Sequence, residues 1–186
     1  MSRHIVAELA AAADRVHGRH LKLLAKAGVH SRTLMTDIGI GGRFGLHPIE
    51  TFREGAFELA DHDVDDQNAL IIGADLLDDG LEDLIAWYPV RPDRWWRRRR
   101  VTRLLGEDAV LRAMGCREPL SLWRSPFQWL RMGCQGAVVL NWPLALPILR
   151  CVGEIVAEDV DHGDDIERRL REKRGPRLTV PRRVAA

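Results

Sequence analysis

The sequence of 186 residues predicts an α/β protein: a small four-stranded parallel sheet in the C-terminal part, preceded by an N-terminal helix and a β-hairpin. Three observations predict this fold class. Apolar residues recur near helical spacing in residues 4–27, and two apolar runs flank a turn before residue 88. From Glu118 onward, short apolar runs alternate with helical segments. We therefore expect an N-terminal helical and hairpin region in residues 1–115 and an α/β region with a basic tail in residues 116–186.

The N-terminal region opens with one amphipathic helix. Its apolar stripe runs through residues 4–27, weakly interrupted at Gly18, and Gly28 is expected to end the helix. The hairpin follows, because the apolar runs 69–74 and 81–87 flank acidic residues and a glycine that favour a tight turn.

The C-terminal third alternates strand and helix patterns. Ser125 is a suitable N-cap for its first helix, with proline at the first helical position and Gly133 as terminator. Short connections with right-handed crossovers would place all four strands parallel. The predicted strands are residues 119–124, 136–141, 154–160 and 176–181, and the predicted helices are residues 125–133, 142–153 and 161–175.

Composition limits the classes of function. The three cysteines lie far apart without a CxxC pair, so the sequence supports neither a disulfide framework nor a structural zinc site. No segment has the roughly 18 apolar residues of a membrane span, and no secretory signal opens the chain. We therefore expect a cytoplasmic protein without a membrane partner. The net charge of +1 hides a basic middle, since residues 81–150 carry 12 basic and 6 acidic side chains.

The stretch RPDRWWRRRR, residues 91–100, combines arginines with adjacent tryptophans. Arginines neutralise phosphates and indoles stack on unpaired bases, so this composition favours a nucleic-acid surface. The alternative is structural: the tryptophans fill the core while the arginines are solvated or paired with acidic residues. The candidate nucleic-acid-binding residues here are Trp95, Trp96, Arg97, Arg98, Arg99 and Arg100.

Three carboxylates, Glu158, Asp159 and Asp161, are candidate metal ligands. Asp159 and Asp161 stand two apart at the predicted end of a strand, where extended residues point to the same side and could hold Mg²⁺ weakly. The alternative is again structural, because acids favour the first turn of a helix and bases its last turn. Residues 161–174 follow that order.

The order of elements and the Asp159-Val160-Asp161 motif resemble the Toprim domain, the metal-dependent fold of primases, topoisomerases and OLD-family nucleases. WLRMGCQGAVVLN, residues 129–141, looks like the family's segment in which a helix ends in glycine before the second strand. The family's catalytic glutamate-glycine pair should follow the first strand, but Arg124 and Ser125 stand there. The resemblance runs from Glu118 onward. Because Arg124 replaces the catalytic glutamate, it implies a site that holds no general base. The region upstream is also similar to the one that precedes Toprim domains in phage and plasmid primase-like proteins.

Three functional hypotheses follow. The first is a non-catalytic Toprim-like accessory protein of a bacterial mobile element or prophage, which binds single-stranded DNA or RNA through residues 95–100 and Arg124, with replication proteins as further partners. The second is a magnesium-dependent phosphoryl-transfer enzyme or nuclease that uses Asp159 and Asp161. The third is a protein-interaction module built on the N-terminal helix and the tryptophans. The cofactor is thus either none or weakly bound Mg²⁺, and the oligomeric state is left open.

Overall fold

The computed structural model describes residues 3–30, 33, 44–60, 68–76 and 80–172. In these ranges the protein is α/β, with six helices and nine strands in two sheets. The helices are α1 (Arg3–Ala13), α2 (Gly18–Lys26), α3 (Glu107–Cys116), α4 (Pro126–Arg131), α5 (Trp142–Leu149) and α6 (Val160–Glu172). The strands are β1 (Phe44–Thr51), β2 (Phe57–Leu59), β3 (Asn68–Leu76), β4 (Gly80–Trp87), β5 (Trp95–Arg97), β6 (Leu104–Leu105), β7 (Leu120–Trp123), β8 (Ala137–Val139) and β9 (Ile155–Val156).

The first sheet is antiparallel, with the strand order β2-β1-β3-β4-β5. Its centre is the predicted hairpin, which the structure confirms: Leu70 lies opposite Trp87, and Leu76 lies opposite Gly80. The tip of the hairpin, residues 77–79, lies outside the described residues. β5 extends the sheet beyond β4, so the tryptophans of the arginine-rich stretch lie in a strand.

Successive side chains of the hairpin strands point to opposite faces of this sheet. Ala69 and Ile71 pack against the cluster that contains α1, whereas Leu70 and Ile72 pack towards the second sheet. Helix α1 lies directly on β1, because a Cβ atom at Gly45 would come within 2.4 Å of Ala12.

The single N-terminal helix of the prediction was wrong, because the chain forms α1 and α2 with a break between them. The two helices bury their apolar side chains in different places: Leu9 of α1 on the outer face of the first sheet and Leu24 of α2 between the sheets. One straight helix cannot place Leu9 and Leu24 in these two separate clusters. The expected stop is confirmed, since α2 ends at Lys26 and Gly28 has a φ of +92°.

The second sheet has the order β6-β8-β7-β9. β7 pairs in parallel with both β8 and β9, but β6 pairs antiparallel with β8. The sheet is therefore mixed, which corrects the prediction of four parallel strands. β6 contributes only Leu104 and Leu105, too short a run to give a strand pattern, and the predicted strand at residues 176–181 lies outside the described residues.

The helices cover the second sheet on both sides. Leu130 of α4 packs in the core that lies between the two sheets, whereas Ala145 of α5 and Ile166 of α6 pack on the far face. Val110 of α3 and Leu104 of β6 belong to that same far core, whereas Leu105 of β6 packs in the core between the two sheets.

In the described ranges, no helix has both the length and the apolar content that crossing a bilayer requires.

Candidate functional site at the carboxyl ends of the parallel strands

A cluster of charged side chains lies where β7 and β9 end. Arg124 follows the last residue of β7, and Glu158 and Asp159 follow β9, which is the adjacent parallel strand. The helices that leave these strands, α4 and α6, pack on opposite faces of the sheet. Parallel sheets bind ligands in the crevice at such a topological switch point, so the position is that of a ligand site. We call Arg124, Glu158, Asp159 and His162 the Arg124 cluster.

Arg124 contacts both carboxylates of the cluster. Its backbone N–H donates to Oε1 of Glu158 at 2.6 Å, and its guanidinium Nε lies 3.7 Å from the other oxygen of that side chain. Its Nη2 donates to Oδ1 of Asp159. The guanidinium therefore lies between the carboxylates as a fixed cation.

Asp159 is the N-cap of α6. Its Oδ1 accepts the backbone N–H of His162 at 2.8 Å, and its carbonyl accepts that of Gly163 at 3.0 Å. The hydrogen bond from His162 and the ion pair with Arg124 lower the pKa of the Asp159 carboxyl. β9 is only Ile155–Val156, so the prediction that Asp159 ends the strand is corrected: it begins the helix.

Asp161 lies inside the first turn of α6, not in an extended segment. Residues two apart at the start of a helix point to different sides, so the extended-strand reason for pairing it with Asp159 does not hold. In the described part of the chain, no group of three or more His, Cys, Asp or Glu side chains is placed to hold a metal ion. The residues present therefore do not fit Mg²⁺, because the guanidinium of Arg124 pairs with both carboxylates beside it and places a positive charge where the metal would bind.

His162 completes the cluster, although the sequence prediction did not select it. Its Nδ1 accepts the backbone N–H of Glu158 at 3.4 Å, and the residue is only 7% exposed. Burial, followed by the nearby Arg124, lowers the pKa of this imidazole. A signal did exist: His162 stands three residues after the N-cap, where side chains reach back to the start of a helix.

The tryptophans of β5 belong to the interior. Trp96 is 5% exposed, contacts Tyr88 edge-on with ring centroids 5.7 Å apart, and carries the guanidinium of Arg94 at 5.1 Å from its ring centre. Trp95 is half-buried against the core between the sheets. The protein itself therefore covers the ring of Trp96 in this conformation.

The first two arginines of the run are held by the fold. Arg97 is partly buried, donates to the carbonyl of Thr102 at 3.3 Å, and has its pKa lowered by burial. Arg98 makes a bidentate contact with Glu8 on α1, with Nε 3.0 and 3.1 Å and Nη2 3.0 Å from the carboxylate oxygens. Glu58 lies 3.7 Å from the same guanidinium. Arg98 thus joins α1 to the first sheet.

The last two arginines are accessible. Arg99 pairs with Glu82 at 3.0 Å and Arg100 pairs with Glu54 at 2.8 Å, and both guanidinium-bearing side chains are about 40% exposed. Exposed ion pairs of this kind contribute about 0–1 kcal/mol each. An incoming phosphate can therefore exchange with these carboxylates at little cost.

A buried carboxylate that the sequence interpretation missed fixes the path of this segment. Asp83 of β4 is fully buried and accepts the backbone N–H groups of Leu84, Arg99, Val101 and Thr102, together with the hydroxyl of Thr102, at 2.7–3.4 Å. A charged residue inside an otherwise apolar strand was the available signal.

Comparison with known proteins gives no family. No family model, curated protein or solved structure matches the chain. The relation to Toprim domains therefore stays a prediction from the residues.

Proposed function

We propose that this chain is a non-catalytic Toprim-like accessory protein of a bacterial mobile element or prophage, which contacts nucleic acid in DNA replication or processing. The observation that carries the proposal is the position of Arg124, which follows the first parallel strand and pairs with Glu158 and Asp159 at the end of its neighbour.

The chemistry of that arrangement supports a role without catalysis. Two-metal phosphoryl transfer needs several carboxylates around the scissile phosphate. Here the guanidinium of Arg124 pairs with both carboxylates and offsets one of their two negative charges, and a guanidinium that stays protonated cannot act as a general base. The cluster therefore stabilises the junction of two strands and a helix.

The nucleic-acid part of the proposal rests on Arg99 and Arg100. Both lie on the surface in weak ion pairs, and an arginine binds phosphate through strong charge-assisted hydrogen bonds. Arg97 and Arg98 hold the fold through Thr102 and Glu8, so their loss would weaken binding only by disturbing the structure.

Fluorescence anisotropy with a labelled oligothymidine, repeated over a range of salt concentrations, tests this assignment. We expect Arg99→Gln/Arg100→Gln to lower the affinity and to reduce the salt slope by about 1.4, since each phosphate contact to single strands contributes about 0.7. Arg112→Gln/Arg171→Gln is the matched control, because it removes the same charge from two exposed ion-paired residues elsewhere. An equal loss of affinity in both variants, or no loss in either, would contradict the assignment of phosphate binding to Arg99 and Arg100.

The magnesium-dependent alternative has its own test. We expect the wild-type protein neither to bind Mg²⁺ at millimolar concentration in calorimetry nor to cleave DNA when Mg²⁺ is added, because the guanidinium of Arg124 already pairs with Glu158 and Asp159 and would repel the cation. DNA cleavage that needs Mg²⁺ and disappears in Asp159→Asn would overturn the non-catalytic proposal. No contact of the described residues favours the interaction-module hypothesis, since Ile5 and Leu9 of α1 are buried within the chain.

A further inference from the structure

Helix α2 carries a row of positive charge that the described residues do not neutralise. Arg19, Lys22 and Lys26 stand at i, i+3 and i+7, which places them along one face of the helix, and all three are exposed. No acidic residue occurs between Arg15 and the end of α2, and the first turn of the helix contains none. Among the described residues, no carboxylate lies within ion-pair distance of Lys22 or Lys26.

This row differs from the ion-paired arginines of the protein. The arginines of α3, α6 and the segment after β5 pair with nearby carboxylates. The helix dipole favours Lys26, which lies in the last turn of α2, but it does not explain Arg19, which lies in the first turn, where the dipole disfavours a cation. Lys22 and Lys26 are moreover two of only three lysines in an arginine-rich chain.

Arg131 extends the positive surface beyond the end of α2. It is exposed at the end of α4, and its Nε lies 3.0 Å from the point where a Cβ atom on Gly28 would be. A glycine at this position, with a φ of +92°, lets the guanidinium pack directly against the backbone.

We propose that the exposed face of α2, formed by Arg19, Lys22 and Lys26 together with Arg131, binds the sugar-phosphate backbone of a nucleic acid without regard to sequence. The row spans about 10 Å at about 1.5 Å per residue. A nucleic-acid strand with a rise of about 3.4 Å per nucleotide carries about three phosphates over that length. The imidazole rings at the start of this helix, His17 and His20, stack on each other with centroids 5.6 Å apart. Leu23 alone exposes too little apolar surface for a helix to lie in a membrane.

This inference rests on the proposed function and assigns a second contact surface to it. In the same anisotropy titration, we expect Lys22→Gln/Lys26→Gln to weaken oligothymidine binding about tenfold at low salt and to lower the salt slope by about 1.4. Arg112→Gln/Arg171→Gln again serves as the matched control and should change the affinity much less. Thermal unfolding followed by circular dichroism should be unchanged in both variants, because all four side chains are exposed.

Acetylation of lysines by a water-soluble ester supplies a readout without mutation. Saturating oligothymidine should slow the modification of Lys22 and Lys26, as measured by mass spectrometry of the peptides.

The outcomes of these experiments distinguish the proposed function from the proposed surface on α2. A wild-type protein that binds no oligonucleotide refutes both the proposed function and this surface, whereas binding that Lys22→Gln/Lys26→Gln leaves intact, or lysines that stay unprotected, refutes the surface alone. Binding of the protein to phosphatidylserine vesicles but not to the oligonucleotide would also overturn the assignment of this surface to nucleic acid.

Discussion

His162 combines burial with a charged environment. Its imidazole lies near the positive Arg124 and the negative Glu158, Asp159 and Asp165, and burial is the main reason that its pKa is lowered. The neutral form is therefore the one that the folded protein favours. Its Nδ1 then serves as an acceptor for the backbone N–H of Glu158.

This environment predicts a pH-dependent contribution to stability. A pKa that is lower in the folded state means that the unfolded chain binds the proton more readily, so the contribution is complete above about pH 6.5 and is lost as the pH falls. In urea titrations between pH 8 and pH 5, the free-energy cost of His162→Gln should therefore shrink towards low pH, by no more than about 1.4 kcal/mol per pH unit. A cost of His162→Gln that is independent of pH would contradict the prediction.

At the residue scale, local signals were predictable and distant partners were not. Ser125 caps α4 as expected, since its hydroxyl accepts the N–H of Gln128 at 3.2 Å. The acid-to-base order along α6 also produces ion pairs such as Asp165 with Arg169 at 2.8 Å. Arg98, by contrast, finds Glu8 ninety positions away. The packing of α1 on the first sheet brings these two residues together. Their spacing in the sequence could not predict the pair.

Backbone hydrogen bonds hold the segment after β5, residues 98–102, in place. Asp83 places one carboxylate beneath residues 99–102 and accepts three of their N–H groups. These bonds replace the ladder that a longer strand would supply, so the segment keeps a defined path although it has no regular secondary structure.

Removing that charge should be costly. Asp83→Asn replaces one acceptor oxygen by an amide that faces N–H donors, so we expect the free energy of unfolding to fall by about 2–4 kcal/mol in urea denaturation. Glu82→Gln is the neighbouring control and should cost less than about 1 kcal/mol, because its ion pair with Arg99 is exposed. Similar costs for the two substitutions would show that Asp83 does not hold the segment.

At the element scale, the number of residues in a strand decided whether the sequence could predict it. The hairpin of β3 and β4 has long apolar runs and matches its prediction. β6 and β9 contain two residues each, and runs of that length show no periodicity. The parallel pairing of β7 with β8 and β9 agrees with the predicted alternation, whereas the antiparallel β6 gave no signal of its own.

At the scale of the whole molecule, one of the three apolar clusters of the described residues is shared by both sheets. Leu70 and Ile85 of the first sheet pack in the same cluster as Leu105 and Val138 of the second, and α2 and α4 contribute to it. The predicted division at residue 115 takes no account of this shared packing. The sequence alone could not reveal it, because an apolar strand face does not indicate which sheet will cover it.

We therefore expect the two sheets to unfold together. Leu105→Ala should lower the free energy of unfolding by about 2–5 kcal/mol, since it leaves a cavity between the sheets. Leu111→Ala, on the exposed face of α3, should cost far less. Hydrogen exchange in Leu105→Ala should accelerate in both β3 and β8, and urea denaturation should keep a single transition. Two separate transitions, or faster exchange confined to one sheet, would contradict a shared core.

The bonds that Asp83 makes have a consequence for protein engineering. Because the carboxylate holds main-chain groups, the identity of the side chains at positions 99–101 hardly enters the geometry. Arg100 already has a φ of +62°, so glycine or asparagine would be tolerated there without strain. A library randomised at positions 99 and 101, with glycine or asparagine at position 100, would thus display varied chemistry on a constant loop, a starting point for selecting new binders.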